Sequence, residues 1–213
     1  MRLVIACVLA SVVIAGGQEP ASSPKPPKPD LTNPAAFTDT APATFVARFE
    51  TSIGEVLIRV TRAWSPHGAD RFYNLVKAGF YDECRVFRVV PNFMAQWGIH
   101  GDPKVASAWN KAYIPAERAR VSNSRGRVSF AMTQLASTRA TQVFINYANN
   151  SRLDIDGFAP IGDVVTRMAL VEQFFDGYGE GIPQSLIVAG GNALLQAVAP
   201  KLSFIKTATI VDP

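Results

Sequence analysis

The feature that most constrains this chain is the run at residues 86–98, Val-Phe-Arg-Val-Val-Pro-Asn-Phe-Met-Ala-Gln-Trp-Gly. The β-branched valines at its start favour an extended strand. Pro91 ends that strand because it has no N–H for a strand ladder, and Pro91 followed by Asn92 is typical of a turn. A second short apolar run follows, so the pattern predicts two strands that fold back on each other.

Side-chain alternation then predicts which groups meet. Side chains on a strand alternate between its faces, so Arg88 shares a face with Val86 and Val90, while Met94 and Gln96 point together on the second run. If the runs pair, one surface collects a guanidinium, a phenyl, a thioether and a carboxamide, from Arg88, Phe93, Met94 and Gln96.

This set of groups limits the chemistry that the surface can perform. It contains no nucleophile beside a base, no pair of carboxylates and no cluster of metal ligands, but it offers strong hydrogen-bond donors beside an apolar patch. Rotation about a peptide bond needs no more than this. The alternative is structural: Arg88 would be an edge-strand arginine paired to a carboxylate, with Phe93 and Met94 in the core.

The segment Phe-Arg-Val-Val-Pro-Asn-Phe-Met-Ala-Gln resembles the signature of the cyclophilin family of peptidyl-prolyl cis-trans isomerases. Phe-Glu-Thr-Ser-Ile-Gly-Glu-Val at 49–56 and Asn-Leu-Val-Lys-Ala-Gly-Phe-Tyr at 74–81 resemble the same family, as does the strand pair around 126–146. The resemblance covers about residues 45–211. It implies a mainly β fold, namely a closed antiparallel β-barrel of eight strands capped by two α-helices.

The resemblance also implies roles for individual residues. Arg88 is the expected catalytic residue, Gln96 and Gln142 would orient it or the substrate, and no cofactor or metal is expected. The other expected substrate-binding residues line a proline pocket and a peptide groove: Phe93, Met94, Ala131, Met132, Thr133, Phe144, Leu153 and Phe158. Two positions depart from the family pattern. Arg152 stands where cyclosporin-sensitive members carry tryptophan, so weak or no cyclosporin binding is expected, and Phe158 stands where histidine is common.

The physical chemistry of the X-Pro bond agrees with this assignment. Amide resonance sets a rotation barrier of roughly 18–20 kcal/mol, and X-Pro bonds exchange between isomers over tens of seconds or longer. In the twisted state the prolyl nitrogen gains a lone pair, so a guanidinium that donates to it stabilises the transition state selectively. Arginine suits this task because it stays charged and holds its donors in a fixed fork.

The N-terminal segment predicts export. Residues 1–17 carry Arg2, an apolar stretch and a small-residue site at Ala15-Gly16-Gly17, which is typical of a secretory signal peptide. Residues 18–40 are rich in Pro, Ala, Ser and Thr and predict a linker. Residues 41–213 would form the isomerase domain, in a protein exported to the periplasm or secreted. The apolar stretch is too short to span a bilayer comfortably, so no stable membrane span is expected.

Periodicity predicts the remaining elements. Alternation over 45–60 indicates a hairpin, Ser65-Pro66 begins a helix whose apolar face includes Ala69 and Phe72, and 202–211 forms a last strand. A second helix is expected over 168–175. Residues 101–125 are expected to be a polar loop, 177–181 a glycine-rich loop, and 182–200 resembles an insertion.

The charge of the chain and its pattern of apolar residues indicate which partners to expect. The net charge of +4 is spread without aromatic interleaving, which disfavours nucleic-acid binding. No heptad or large apolar face stands out, so a monomer is expected, with proline-containing polypeptides as clients. Cys84 would be the only cysteine left after signal cleavage and is expected to be buried. His67 and His100 lie outside the motifs.

Two alternative functions stay open: a proline-peptide-binding chaperone module with little turnover, and a barrel that carries a small apolar ligand.

Overall fold

The structure is a computed structural model that describes residues 29–211. The predicted signal peptide at 1–17, the first part of the predicted linker, and the last two residues lie outside the described residues. Within 29–211, one antiparallel sheet of eight strands dominates the fold. The strands are β1 (Thr44–Thr51), β2 (Gly54–Thr61), β3 (Arg88–Val90), β4 (Met94–Trp97), β5 (Arg127–Phe130), β6 (Val143–Asn146), β7 (Pro160–Val164) and β8 (Ile205–Val211).

The sheet is an open half-barrel, which corrects the prediction of a closed barrel. The strand order is β3-β4-β6-β5-β7-β2-β1-β8, so β3 and β8 are the two edges. Only an isolated bridge between Arg85 and Phe204 joins the chain near these edges. Next to this bridge Glu83 takes a left-handed conformation at φ 61°, which a strand does not allow, so no ladder extends in that direction.

The described chain contains five α-helices, where the sequence predicted two. They are α1 (Pro66–Lys77), α2 (Pro103–Trp109), α3 (Arg152–Ile155), α4 (Met168–Val171) and α5 (Gln184–Val198). The second predicted helix, 168–175, is correct at its start but ends at Val171. The longest helical segment is α5, which is kinked at Gly191 and lies in the segment interpreted as an insertion, and α2 lies within the predicted polar loop. No helix among residues 29–211 is long and apolar enough to cross a membrane.

The main core lies between the sheet and α1. Alternate residues of β1 and β2 are buried, and the predicted apolar face of α1 packs against them through Ala69, Phe72 and Leu75. Phe72 contacts Phe45 and Phe49, with ring centroids 6.5 and 5.9 Å apart. A smaller apolar cluster, which we call the second cluster, joins the α2–α5 region to the segment before β3. Its buried members are Phe87, Ile99, Ala106, Ile187, Leu195, Ala199 and Leu202.

The part of the predicted linker that the structure describes, residues 29–40, packs on the domain. Trp109 Nε1 donates a hydrogen bond to the Leu31 carbonyl at 2.7 Å, and the Phe37 and Trp109 rings lie 5.6 Å apart. Asn74 of α1 donates to the Asp39 carbonyl at 2.7 Å. The packed region therefore begins before residue 41.

Candidate active site

The site is built on the β3–β4 hairpin that the sequence predicts. Arg88 lies opposite Gln96 and Val90 opposite Met94 in the ladder, so these side chains share a face. Val86 differs from the prediction. It precedes the first residue of β3 and is buried in the main core, because the alternation holds only within the ladder.

A chain of hydrogen bonds crosses this face. Arg88 Nη1 donates to Gln96 Oε1 at 3.0 Å, and Gln96 Nε2 donates to Gln142 Oε1 at 2.7 Å. Gln96 is 3% exposed, so little water competes for these bonds. The carboxamide of Gln96 thereby fixes one side of the guanidinium.

An apolar pocket lies beside the guanidinium. Met94, Phe144 and Leu153 form a buried cluster, and Phe93 and Phe158 pack on it with part of their rings open to solvent. The Phe144 and Phe158 rings meet edge to face, 5.7 Å apart at 77°. These side chains form an apolar concavity open at one side, next to a cation.

All eleven residues predicted for the site line one cavity of about 330 Å³. They are Arg88, Phe93, Met94, Gln96, Ala131, Met132, Thr133, Gln142, Phe144, Leu153 and Phe158. The cavity also borders residues that the sequence did not suggest, namely Asn110, Tyr113, Thr138, Ala140, Thr141 and Gln184. Asn110 caps the end of α2 and Gln184 begins α5, so both are positioned by helices that were not predicted.

Buried amides hold the walls of the pocket. Asn150 donates to the Phe93 carbonyl at 2.9 Å, and Asn123 donates to the Phe158 carbonyl at 2.8 Å. Both amides connect to Asn146, which is fully buried at the end of β6. A buried network whose members are satisfied is rigid, so the two aromatic walls are fixed through their backbones.

A buried ion pair anchors the loop that follows Thr133. Arg139 is fully buried and its Nη2 lies 3.0 Å from Glu117 Oε2. Glu117 also accepts hydrogen bonds from the backbone N–H groups of His67 and Gly68, at 2.9 and 3.2 Å. It thus caps the first turn of α1, where Ser65 makes no capping bond to the backbone. The groove residues on both sides of Arg139 are therefore tied to α1.

The contact between Arg88 and Glu180 was not predicted from the sequence. Glu180 Oε1 accepts a hydrogen bond from Arg88 Nε at 2.7 Å and another from Arg88 Nη2. Arg88 thus lies on an edge strand and pairs with a carboxylate, as the structural alternative proposed, and it also lines the cavity. Glu180 lies in the glycine-rich segment 177–181, whose composition indicated a loop but not its partner.

Of the two departures from the family pattern, Phe158 lines the pocket and Arg152 lies against one of its wall residues, Phe93. Phe158 forms one wall, as described above. The Arg152 guanidinium lies 5.1 Å from the centre of the Phe93 ring, and Arg88 lies 5.7 Å from the same ring. The Phe93 ring therefore has two cations near it, within the distance at which cations attract aromatic faces.

The remaining polar candidates lie elsewhere. His67 and His100 do not line the cavity. Cys84 is buried, and burial raises the pKa of its thiol far above the ordinary value, so the reactive thiolate is suppressed. Among residues 29–211 no group of three or more His, Cys, Asp or Glu side chains is placed to hold a metal ion.

The interior of the half-barrel does not suit a carried ligand. The cavity found there, bordered by Phe49, Ile58 and Trp97, measures about 10 Å³. That volume is about the minimum for one water molecule. The hypothesis of a small apolar ligand enclosed by the strands is therefore disfavoured for the described residues.

Comparisons with known proteins agree with this fold. The family model described as cyclophilin type peptidyl-prolyl cis-trans isomerase/CLD matches residues 46–187, which is more than half of the chain. The chain belongs to this family, and its activity is that of a peptidyl-prolyl cis-trans isomerase.

Individual relatives are moderately similar. A peptidyl-prolyl cis-trans isomerase of Acinetobacter baylyi is 30% identical over 136 residues, which cover 62% of this chain and 72% of the relative. Peptidyl-prolyl cis-trans isomerase A of Dickeya dadantii is 30% identical over 127 residues, covering 58% and 67%. A Cryptosporidium parvum cyclophilin structure aligns with a TM-score of 0.60 at 16% identity, over 80% of this chain and 99% of that one. The same protein in the presence of the dipeptide Ala-Pro aligns with a TM-score of 0.56 at 19% identity, over 79% and 99%.

Proposed function

We propose that this isomerase accelerates rotation about X-Pro bonds in exported polypeptide clients, with Arg88 as the catalytic residue. The observation that carries the proposal is the arrangement of an oriented guanidinium beside an open apolar pocket. The proline ring would enter the pocket formed by Met94, Phe144 and Leu153, between the walls Phe93 and Phe158. The client backbone would lie along the main chain of residues 131–133.

The mechanism follows from what changes when the X-Pro bond twists. Loss of amide resonance leaves a lone pair on the prolyl nitrogen, and Arg88 donates a hydrogen bond to it. This bond is weak in the planar ground states, because the nitrogen lone pair is then delocalised, so it lowers the barrier rather than the ground state. The partial burial of Arg88, whose side chain is 30% exposed, strengthens the donation by limiting competition from water.

Gln96 and Gln142 support this step. Gln96 uses its oxygen for Arg88 and its amide nitrogen for Gln142. Gln142 accepts that bond through its oxygen, so its own amide nitrogen is directed to other partners. We assign this amide to the client backbone. Rotation then occurs while the pocket holds the ring and the residue before proline turns.

Export rests on the sequence alone. Residues 1–17 have the charge, apolar stretch and small-residue site of a secretory signal. The clients would then be proteins that fold in the periplasm or outside the cell. Expression of the full chain, followed by cell fractionation and mass determination of the mature N-terminus, tests this part. An uncleaved protein that stays in the cytoplasm would contradict it.

The catalytic role is tested with the full chain and its Arg88→Ala variant. The measurement is a protease-coupled isomerisation assay on Ala-Xaa-Pro-Phe peptides, together with peptide titration followed by NMR. We expect turnover to fall at least about tenfold in the variant, because one transition-state donor is lost, while peptide affinity changes much less. Arg88→Lys keeps the charge without the fork and is expected to recover only a small part of the rate.

Two results would overturn the proposal. Equal turnover in wild type and Arg88→Ala would remove Arg88 from the mechanism. Tight peptide binding by a folded wild-type protein without any acceleration would favour the proline-peptide-binding chaperone module instead. Thermal unfolding of each variant shows whether a loss of rate reflects a loss of fold.

A further inference from the structure

Some N–H donors of the Arg88 guanidinium are bonded to other side chains, and others are not. A guanidinium has five N–H bonds in one plane. Gln96 takes one bond of Nη1, and Glu180 takes the bond of Nε and one of Nη2, so three of the five are engaged. The two that remain belong to Nη1 and Nη2, the atoms farthest from the backbone. Gln96 and Glu180 thus hold the group from two sides and leave its tip open.

The position of Glu180 is itself fixed. Two successive turns surround it, in which Gly179 N–H bonds the Asp176 carbonyl and Gly181 N–H bonds the Tyr178 carbonyl, each at 2.8 Å. Tyr178 and Ile182, on either side of Glu180, pack against the second cluster. That cluster contains Phe87, the neighbour of Arg88 in sequence. The carboxylate and the guanidinium are therefore placed by the same group of apolar side chains.

The geometry points to a role for this contact in catalysis, and we propose that Glu180 is a positioning residue that aims the tip of Arg88 at the prolyl nitrogen. This inference rests on the mechanism proposed above. An arginine side chain has many rotamers, and a donor acts on a short-lived transition state only if it is already in place. Gln96 fixes one side only, and Glu180 supplies the second constraint.

The geometry of the pair argues against the opposite role, in which Glu180 would compete with the client for Arg88. One oxygen of Glu180 accepts from both Nε and Nη2, so the contact lies along one edge of the guanidinium and does not cover the tip. Removal of Glu180 should therefore lower turnover rather than raise it.

The test uses the full chain with Glu180→Ala and Glu180→Gln. We expect Glu180→Ala to lower the isomerisation rate of saturating Ala-Xaa-Pro-Phe peptide, measured by NMR exchange spectroscopy, by about three- to tenfold. Peptide affinity should change less than about twofold, since Glu180 itself does not line the cavity. Glu180→Gln keeps an acceptor oxygen and should recover most of the rate. The Arg88 Nε–H signal should shift in Glu180→Ala, because its acceptor is lost.

The control is Glu55→Ala. Glu55 pairs with Arg48 on the β1–β2 hairpin, and its side chain is 51% exposed, close to that of Glu180. This variant should leave rate and affinity unchanged. A similar loss in Glu55→Ala would show that the effect of Glu180→Ala is not specific to the site and would overturn the proposal.

A double variant separates this inference from the proposed mechanism. In an Arg88→Ala background, Glu180→Ala should cause no further loss, because the residue it positions is absent. An equal loss in that background, or faster turnover in Glu180→Ala alone, would overturn the role of Glu180 while leaving Arg88 as the catalytic residue. Full turnover in Arg88→Ala would overturn the mechanism itself, and the role of Glu180 with it.

Discussion

Replacement of Glu117 by glutamine tests how the groove loop is held. Glutamine keeps the shape of the side chain but removes its charge, and so leaves Arg139 as a fully buried cation without its counter-ion. Removing one partner of a buried pair costs about 3–5 kcal/mol. The amide oxygen still accepts some of the hydrogen bonds, so we expect the free energy of unfolding at pH 7 to fall by about 3 kcal/mol, the lower end of that range.

The pH dependence provides a second check. Burial raises the pKa of Glu117, but hydrogen bonds from Ser65, the His67 backbone and Arg139 outweigh that effect, so the pKa in the folded protein lies below the ordinary value. The contribution of the ionised carboxylate is therefore present above pH ~4.3, the ordinary pKa of glutamate, and is lost as the pH falls through the folded value. The difference in stability between wild type and Glu117→Gln should narrow in acid.

Urea unfolding followed by tryptophan fluorescence at pH 7, 5 and 3 measures both quantities. Glu55→Gln, which alters an exposed pair, should change the free energy of unfolding by less than about 1 kcal/mol at each pH. A cost below about 1 kcal/mol for Glu117→Gln at pH 7, or a difference that widens in acid, would refute the reasoning.

Two further predictions concern the pocket walls. Phe158→Ala removes the ring that meets Phe144 edge to face, so peptide affinity measured by NMR titration should weaken about three- to tenfold, whereas Ile155→Ala, at a 92% exposed apolar residue nearby, should have no effect. Unchanged affinity in Phe158→Ala would remove that ring from the pocket. Arg152→Trp restores the residue expected in cyclosporin-sensitive members, so calorimetry should show stronger cyclosporin binding than in wild type. Equally weak binding would show that Arg152 does not limit it.

Local periodicity was sufficient to predict the part of the site built on paired strands. Arg88 and Gln96 lie opposite each other because the period of a strand is two and Pro91-Asn92 closes the turn between them. Gln142, which immediately precedes β6, and Phe144 within it line the same cavity. These relations depend on neighbours in sequence or on adjacent strands, and a single sequence contains them.

The two partners of Arg88 illustrate the difference between local contacts and contacts that are distant in sequence. Gln96 is eight positions away and was predicted, whereas Glu180 is 92 positions away and was not. Nothing local in the segment 177–181 specifies which cation its carboxylate meets. That contact is set by the packing of Tyr178 and Ile182 on the second cluster, which is a tertiary effect.

The missed helices have two different causes. The signal for α2 was present, with Asp102 at the N-cap, Pro103 in the first turn and buried Val105 and Trp109 four residues apart. The polarity of the surrounding segment obscured it. The helix α5 has a weaker signal, because it contains the pair Gly190-Gly191, and glycine disfavours helices.

Gly191 shows why that pair is tolerated. Its backbone turns to φ 57°, and a Cβ there would lie 2.1 Å from the Gly101 carbonyl oxygen. The chain bends at this point so that Asn192 N–H can bond the same oxygen at 2.8 Å. This requirement comes from a distant loop and has no counterpart in the periodicity of α5.

The pairing of β1 with β8 has a consequence for how the protein is made. The first strand of the sheet borders the last, so one edge of β1 has no partner until residues 205–211 are available. A chain that emerges N-terminus first from a ribosome must therefore carry an unsatisfied strand edge until almost its whole length has been made. Such long-range pairing is slow, and unpaired edges are prone to aggregation. We therefore expect this isomerase to benefit from protection of the β1 edge during its own synthesis.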